Sequence, residues 1–208
     1  MDVELRNKIL NYSIIASLII LIALVIISTA NGSLNGIMSN SVYKSSKQVG
    51  DMVSYQNSNW YVISENDKSY TLLKKDSLTN VEMGLNTNYV SYDYSNNCNK
   101  FNDTNCHSKL EESYIGTILN YYQDNYLNKN DLVTIDDYTI RLLNSEDYEI
   151  LTNYNFLYLD NYYWTMIEPN YSGVNVYGLY NNGLNMQMVY DNNGLVRPVI
   201  NVSKSVIK

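Results

Sequence analysis

The chain has 208 residues, with 14 basic and 21 acidic side chains and a net charge of −7. That length permits one sizeable domain plus an appendage, with a core large enough to need neither metal nor disulfide. Residues 1–47 hold four of the basic and two of the acidic side chains, leaving 10 basic against 19 acidic in the remainder, which excludes nucleic acid as a partner because phosphate neutralisation needs clustered Lys and Arg.

The first element in the chain is residues 12–30, YSIIASLIILIALVIISTA, which are almost uniformly apolar and carry no charge. As a helix they would extend about 28 Å, close to the hydrocarbon thickness of a bilayer. Arg6 and Lys8 precede the stretch, so residues 1–11 read as a cytoplasmic tail and 12–30 as a single-pass signal anchor, with residues 31–208 outside the cell membrane. Two other readings exist. Ser28 and Ala30 fit the small-x-small site of a cleavable signal peptide. A prepilin stalk would need a Gly before the helix and a Glu five residues into it, and the run from Leu5 to Ile15 has neither.

Residues 31–48, small and polar with two glycines, read as a flexible linker. The extracellular domain, 49–208, opens with three short strands around Met52–Tyr55, Trp60–Ile63 and Tyr70–Leu73, with turns at Asn57–Asn59 and Glu65–Asp67. From Asp76 to His107 the periodicity dissolves into a long loop. Ser108 and Glu111 then have the spacing of a capping box, and Leu110, Tyr114, Ile115, Ile118, Leu119 and Tyr122 form the apolar stripe of a helix running to about Tyr126. Strands are expected over Asp131–Asp137 and Tyr138–Leu143, and a short helix over Ser145–Leu151. The chain closes, from Tyr162 to Lys208, with a strand, a loop and three strands joined by two tight turns. Asn182-Gly183 and Asn193-Gly194 are dipeptides that populate positive φ at both central positions of a type I′ turn. The fold class is therefore α+β, with antiparallel meanders and one main and one short helix.

Three segments also carry a resemblance. Tyr163-Trp164-Thr165-Met166 followed by Pro169, and Gly194-Leu195-Val196-Arg197-Pro198-Val199-Ile200-Asn201, resemble the end of a group of uncharacterised exported domains from AT-rich Gram-positive gut bacteria that close with W-T-M-x-P and G-V-R-P-V-I-N-L. Ile140-Arg141-Leu142, with Asp147-Tyr148 beyond, is similar to that group's I-R-L-x-x-x-x-E-Y. The resemblance implies a C-type-lectin-like or formylglycine-generating-enzyme-like fold, and it implies no activity. The oxidase chemistry of the second group needs redox-active cysteines in the active site, and this chain offers only a pair in the long loop.

That pair, Cys98 and Cys106, can close a nine-residue disulfide loop outside the cell, stiffening the insertion by about 2–3 kcal/mol. The rival is a metal site with His107, for which no fourth ligand is evident. His107 is the single imidazole in the chain, so a Ser–His or Cys–His mechanism has no second candidate base. No cofactor is expected; calcium is the one alternative, because Glu168-Pro169-Asn170 resembles the sugar-binding tripeptide of C-type lectins and Asp191-Asn192-Asn193 offers further oxygen ligands. Trp60, Trp164, Arg197 and Pro198 read as structural. Arg197 is expected to be buried beside a carboxylate, with anion binding as the rival, and Pro198 to mark an edge strand or a bulge.

Tyrosine is the compositional anomaly, 22 residues against 2 Phe. AT-rich coding raises both, so it leaves the ratio unexplained, whereas half-wet recognition surfaces favour an aromatic body with a polar tip. The resulting expectation is a non-catalytic, membrane-anchored recognition or adhesion domain whose partner is a glycan or a protein at the cell surface. Its ligand-binding residues are expected among Tyr163, Glu168, Asn170, Tyr171, Asn175 and Tyr177. The alternative is a pilin-like subunit of a surface filament.

Overall fold

The computed structural model describes residues 46–93, 109–168 and 175–208. The expected anchor at 12–30, the cysteines Cys98 and Cys106, His107, Pro169, Asn170 and Tyr171 lie outside the described residues. Among those described, no helix is long and apolar enough to cross a membrane.

The architecture is α+β, with two α-helices and two antiparallel sheets. Strands β1 (Met52–Tyr55), β2 (Ser58–Glu65) and β3 (Ser69–Lys74) form the expected meander. Helix α1 covers Tyr114–Tyr126, and β4 is the short pair Ile140–Arg141. Helix α2, Ser145–Leu151, occupies the expected residues. The second sheet contains β5 (Tyr163–Trp164), β6 (Asn175–Tyr180) and β7 (Gly183–Met188), and the last strand is β8 (Val199–Ser203).

The closing segment departs from the expected three-stranded meander. Only β6 and β7 form a hairpin, with β5 as their third strand. After the turn at residues 192–193, Gly194 bridges to Val90 and Leu195 to Tyr163, and the chain leaves for the larger sheet. There β8 enters between β3 and β4, giving the order β1-β2-β3-β8-β4. Pro198 therefore precedes a central strand, where its missing N–H breaks no ladder bond, and its carbonyl accepts from Lys74 N at 2.9 Å. The expected strand at Asp131–Asp137 is instead a 3₁₀ turn at Lys129–Asp131 followed by isolated bridges.

Period-two alternation sorts this sheet's residues into two cores. Trp60, Val62, Tyr70, Leu72, Ile200 and Val202 join one cluster with Ile115, Ile118, Leu119 and Tyr122 of α1. Ile63, Leu73 and Val199 join the other, with Leu151 of α2 and Leu157. A sheet buried on both faces needs continuous apolar strands, and every residue of β3 is buried. The small sheet serves both clusters: Trp164 and Val176 point into the first, Tyr163 and Leu179 into the second.

Local chemistry sets the element ends. Helix α1 starts later than expected, because Ser113 rather than Ser108 is its N-cap; the Ser113 hydroxyl accepts from Gly116 N at 3.1 Å and donates to Leu110 O at 2.8 Å. The preceding 3₁₀ turn, Leu110–Glu112, folds its carbonyl onto the helix so closely that a β-carbon at Gly116 would collide with Leu110 O. In α2, Asn144 and Asp147 form a reciprocal capping box. The paired positive φ values of a type I′ turn occur at Gln56-Asn57 (47° and 59°) and Asp136-Asp137 (49° and 69°), not at the Asn-Gly dipeptides. In the β6–β7 hairpin the turn residues are 181–182, and Gly183 carries the positive φ.

Arg197 is fully buried, and its partners are carbonyls rather than the expected carboxylate. Nε donates to Lys74 O at 2.7 Å; one terminal nitrogen reaches Leu157 O at 2.9 Å and the Tyr163 hydroxyl at 3.5 Å; the other reaches Lys75 O and Phe156 O, both at 2.9 Å. All five guanidinium donors are thereby used. Burial pushes its pKa down from the ordinary arginine value.

This geometry leads to two stability outcomes. Arg197→Lys leaves three donors for five acceptors and is expected to destabilise the domain by at least about 2 kcal/mol in urea unfolding; wild-type stability would refute the network's importance. Gln56→Gly is expected to stabilise by about 0.5 kcal/mol, relief of the left-handed backbone outweighing the entropy cost of glycine. The same change at exposed Ser54, inside β1, should destabilise.

Candidate functional site

Among the described residues, Tyr163, Glu168, Asn175 and Tyr177 do not line one common cleft. Tyr163 is fully buried, its hydroxyl donating to Leu157 O at 2.7 Å and accepting from Arg197, so it presents nothing to solvent. Glu168 is exposed at the edge of a cleft, and Asn175 and Tyr177 are half-buried on β6. Trp60 and Trp164 are core residues whose indole N–H groups donate to Tyr55 O (3.0 Å) and Val90 O (2.8 Å). Among the described residues no group of three or more His, Cys, Asp or Glu side chains is placed to hold a metal ion.

One cleft lies along the 3₁₀ turn before α1. Leu110, Glu111 and Tyr138 line both halves of it, and Glu168 borders the outer half. The Tyr138 hydroxyl donates a short hydrogen bond to the Glu111 carboxylate. That bond holds the Glu111 carboxyl below the usual carboxylate range, while burial, reinforced by Glu111, pushes Tyr138 up to about 12. Glu111 closes this pair; the Ser108 end of its expected capping box lies outside the described residues.

A second cleft, of about 330 Å³, lies where β5 and the β6–β7 hairpin meet the loops before and after them. Its lining is Tyr89, Asp160, Asn161, Tyr162, Tyr180 and Asn193. Tyr162 and Tyr180 stack at 4.8 Å and 25°, and Tyr162 meets Trp164 edge-on at 5.3 Å and 88°. Trp164 in turn meets Tyr92 at 5.8 Å and 75°, so a column of four rings runs from the cleft into the core. Gly178 makes room for this: a β-carbon there would press on the Tyr162 ring at 2.8 Å.

Behind the cleft wall the Tyr162 hydroxyl, shut off from solvent, is an unusual atom. Tyr162 is only 7% exposed, yet its oxygen has no hydrogen-bond partner. The Asn193 backbone lies near it, outside hydrogen-bonding geometry. Burial, with Tyr180 and Asp191 nearby, pushes its pKa well up, so the group is a neutral hydroxyl able both to donate and to accept. Around it are amides, one carboxylate and two further tyrosines. This lining offers hydrogen-bond donors, acceptors and ring faces. Tyr162 adjoins Tyr163, and the one-residue difference decides which ring faces the cleft.

Comparison with family models, with curated proteins and with solved structures finds no match. The chemistry of the clefts is therefore the guide to function.

The Glu111–Tyr138 pair makes a titration prediction. A carboxylate whose folded-state pKa is depressed stabilises the fold above its ordinary pKa, about 4.3, and that stabilisation is lost as pH falls through the folded-state value. Tyr138→Phe should return the Glu111 carboxyl toward its ordinary range in an NMR titration and flatten the acid limb of the stability curve. An unshifted Glu111 in the variant would mean that the hydrogen bond has no electrostatic weight.

Proposed function

We propose that this chain is a membrane-tethered, extracellular recognition domain without catalytic activity, and that it binds neutral, hydroxyl-rich ligands, carbohydrate above all, in the cleft floored by Tyr162. The observation that carries this reading is the cleft's lining of tyrosine rings, amides and, among the described residues, one carboxylate, with the buried, unpartnered Tyr162 hydroxyl behind it. A sugar offers what that lining lacks: hydroxyls that both donate and accept, and an apolar ring face that packs on an aromatic side chain. The acidic balance beyond residue 47 disfavours anionic ligands, in keeping with a neutral one.

Tethering rests on the 19-residue apolar stretch at 12–30, with the domain on the outer face of the cell membrane. The C-type-lectin-like architecture belongs to the same reading; its support is the antiparallel sheet with one main and one short helix. Calcium has no part in it, since the cleft lining includes only one carboxylate, Asp160.

The test uses the full chain in lipid nanodiscs against an array of neutral and anionic glycans, with calcium and with chelator. Neutral glycans are expected to bind in both conditions. Tyr162→Phe gives the sharper readout, because removing an unpaired buried hydroxyl should leave stability unchanged or raise it by about 1 kcal/mol, while lowering glycan affinity about fivefold or more. An affinity unaffected by Tyr162→Phe, or binding confined to anionic glycans, would overturn the reading.

A further inference from the structure

The Tyr162 cleft has a neighbour. A second cleft, of about 190 Å³, is lined by Leu85, Asn86, Thr87, Ser91, Tyr114 and Asn192, together with Tyr89 and Val90. Tyr89 lines both clefts, and consecutive residues Asn192 and Asn193 supply one lining residue to each. The two hollows therefore adjoin at Tyr89, an exposed tyrosine 40% accessible.

The backbone fixes this junction. Val90 and Gly194 exchange hydrogen bonds at 2.9 and 3.2 Å, tying the segment that carries Tyr89 to the turn that carries Asn192 and Asn193. Gly194 is the residue that permits the approach, since a β-carbon there would collide with the Trp164 indole. The Thr87 hydroxyl accepts from Tyr89 N and donates to Tyr89 O, both at 3.2 Å, which holds the backbone beneath the ring. A ring so supported is a ridge between two sites on a rigid frame.

Size separates the roles of the two hollows. Small-molecule sites run from about 300 to 1,000 Å³. The Tyr162 cleft sits at the bottom of that range, and the second cleft falls below it, so the second is too small to be an independent site. Together they lie inside the range. Among the described residues the second cleft has no carboxylate or cation in its lining; amide and hydroxyl groups stand beside apolar Leu85 and Tyr114.

We propose that the two clefts are consecutive subsites of one groove, and that its ligand is a linear, uncharged oligosaccharide lying across the Tyr89 ring. One end occupies the Tyr162 cleft, a sugar face rests on Tyr89, and the chain continues between Asn86 and Asn192. This deepens the carbohydrate reading and rests on it. It adds that recognition is of an internal stretch of polymer, so affinity rises with chain length until both subsites are filled.

The experiment measures affinity of the full chain in nanodiscs for two uncharged probe series, oligomers of N-acetylglucosamine and of glucose in β-linkage, each as disaccharide and hexasaccharide. The hexasaccharide of at least one series is expected to bind about tenfold more tightly than its disaccharide, the effect of one or two added contacts. Asn86→Ala and Asn192→Ala change exposed side chains of the second cleft alone. They should bring the hexasaccharide down to the disaccharide level, leaving disaccharide affinity and the thermal midpoint unchanged. Equal affinity for short and long probes, or equal losses on both in these variants, overturns the two-subsite groove while the carbohydrate reading stands. No binding in either series overturns both for these probes, and the Tyr162→Phe comparison on the array then decides the parent reading separately.

Discussion

The guanidinium of Arg197 is the interaction on which the rest of the domain depends. Its five N–H groups reach the end of β3 at Lys74 and Lys75, the 3₁₀ turn at Phe156 and Leu157, and the Tyr163 hydroxyl. These groups come from three separate stretches of chain, which the one guanidinium ties together. Burying a charge without a carboxylate is costly, but four carbonyl dipoles and a phenol oxygen, aimed at one planar fork, replace the water it loses. The Tyr163 ring adds a face at 5.2 Å from the guanidinium carbon. Because Arg197 sits two residues before β8, this knot fixes where the final strand enters. The larger sheet is thereby closed by a strand that arrives from more than a hundred residues beyond its neighbour β3.

The same logic explains the motifs that carried the family resemblance. Trp164 donates to Val90 O and forbids a side chain at Gly194; Thr165 bonds to Tyr177 O and tethers Ile167 N; Met166 N meets Leu143 O. Arg141 holds Asp147 in a bidentate pair, and Asp147 also caps α2 by accepting from Asn144 N. The Asn201 side chain donates to Tyr138 O. These motif residues are thus spent on joining elements of this fold. The candidate groove is built from what the motifs leave out: the loops at residues 85–93, 160–162 and 191–193 and the end of β6.

What was legible in the sequence was local. Apolar alternation located β1 to β3, the four-residue stripe located α1, and the spacing around Ser145 located α2, because each depends on a periodicity that neighbouring residues enforce. Long-range pairing was not legible: nothing in Val199–Ser203 says that its partner is β3 rather than β7. Turn chemistry misled for a related reason. Asn-Gly favours a type I′ turn, but strand register decides where the turn falls, and here it falls at Gln56-Asn57 and Asp136-Asp137, whose residue types signal it weakly. The tyrosine that lines the cleft is the neighbour of the one singled out in the sequence. With period two, Tyr162 and Tyr163 must face opposite ways, and only the packing of β5 against β6 tells which ring is spent on Arg197 and which lines the cleft.

That choice bears on function through an imbalance in hydrogen bonding. Among the described residues two buried side-chain polar atoms lack partners, the Tyr162 hydroxyl and Asn201 Oδ1. The second belongs to a side chain whose amide nitrogen is already anchored in the sheet, and it lines neither half of the groove. The first heads a column of rings whose packing would be served equally well by phenylalanine. Tyr163, a residue away, satisfies its hydroxyl twice, so the fold readily pairs such a group where pairing serves the architecture. The proposed recognition reading therefore turns on an unpaired buried group set beside a tyrosine-lined cleft.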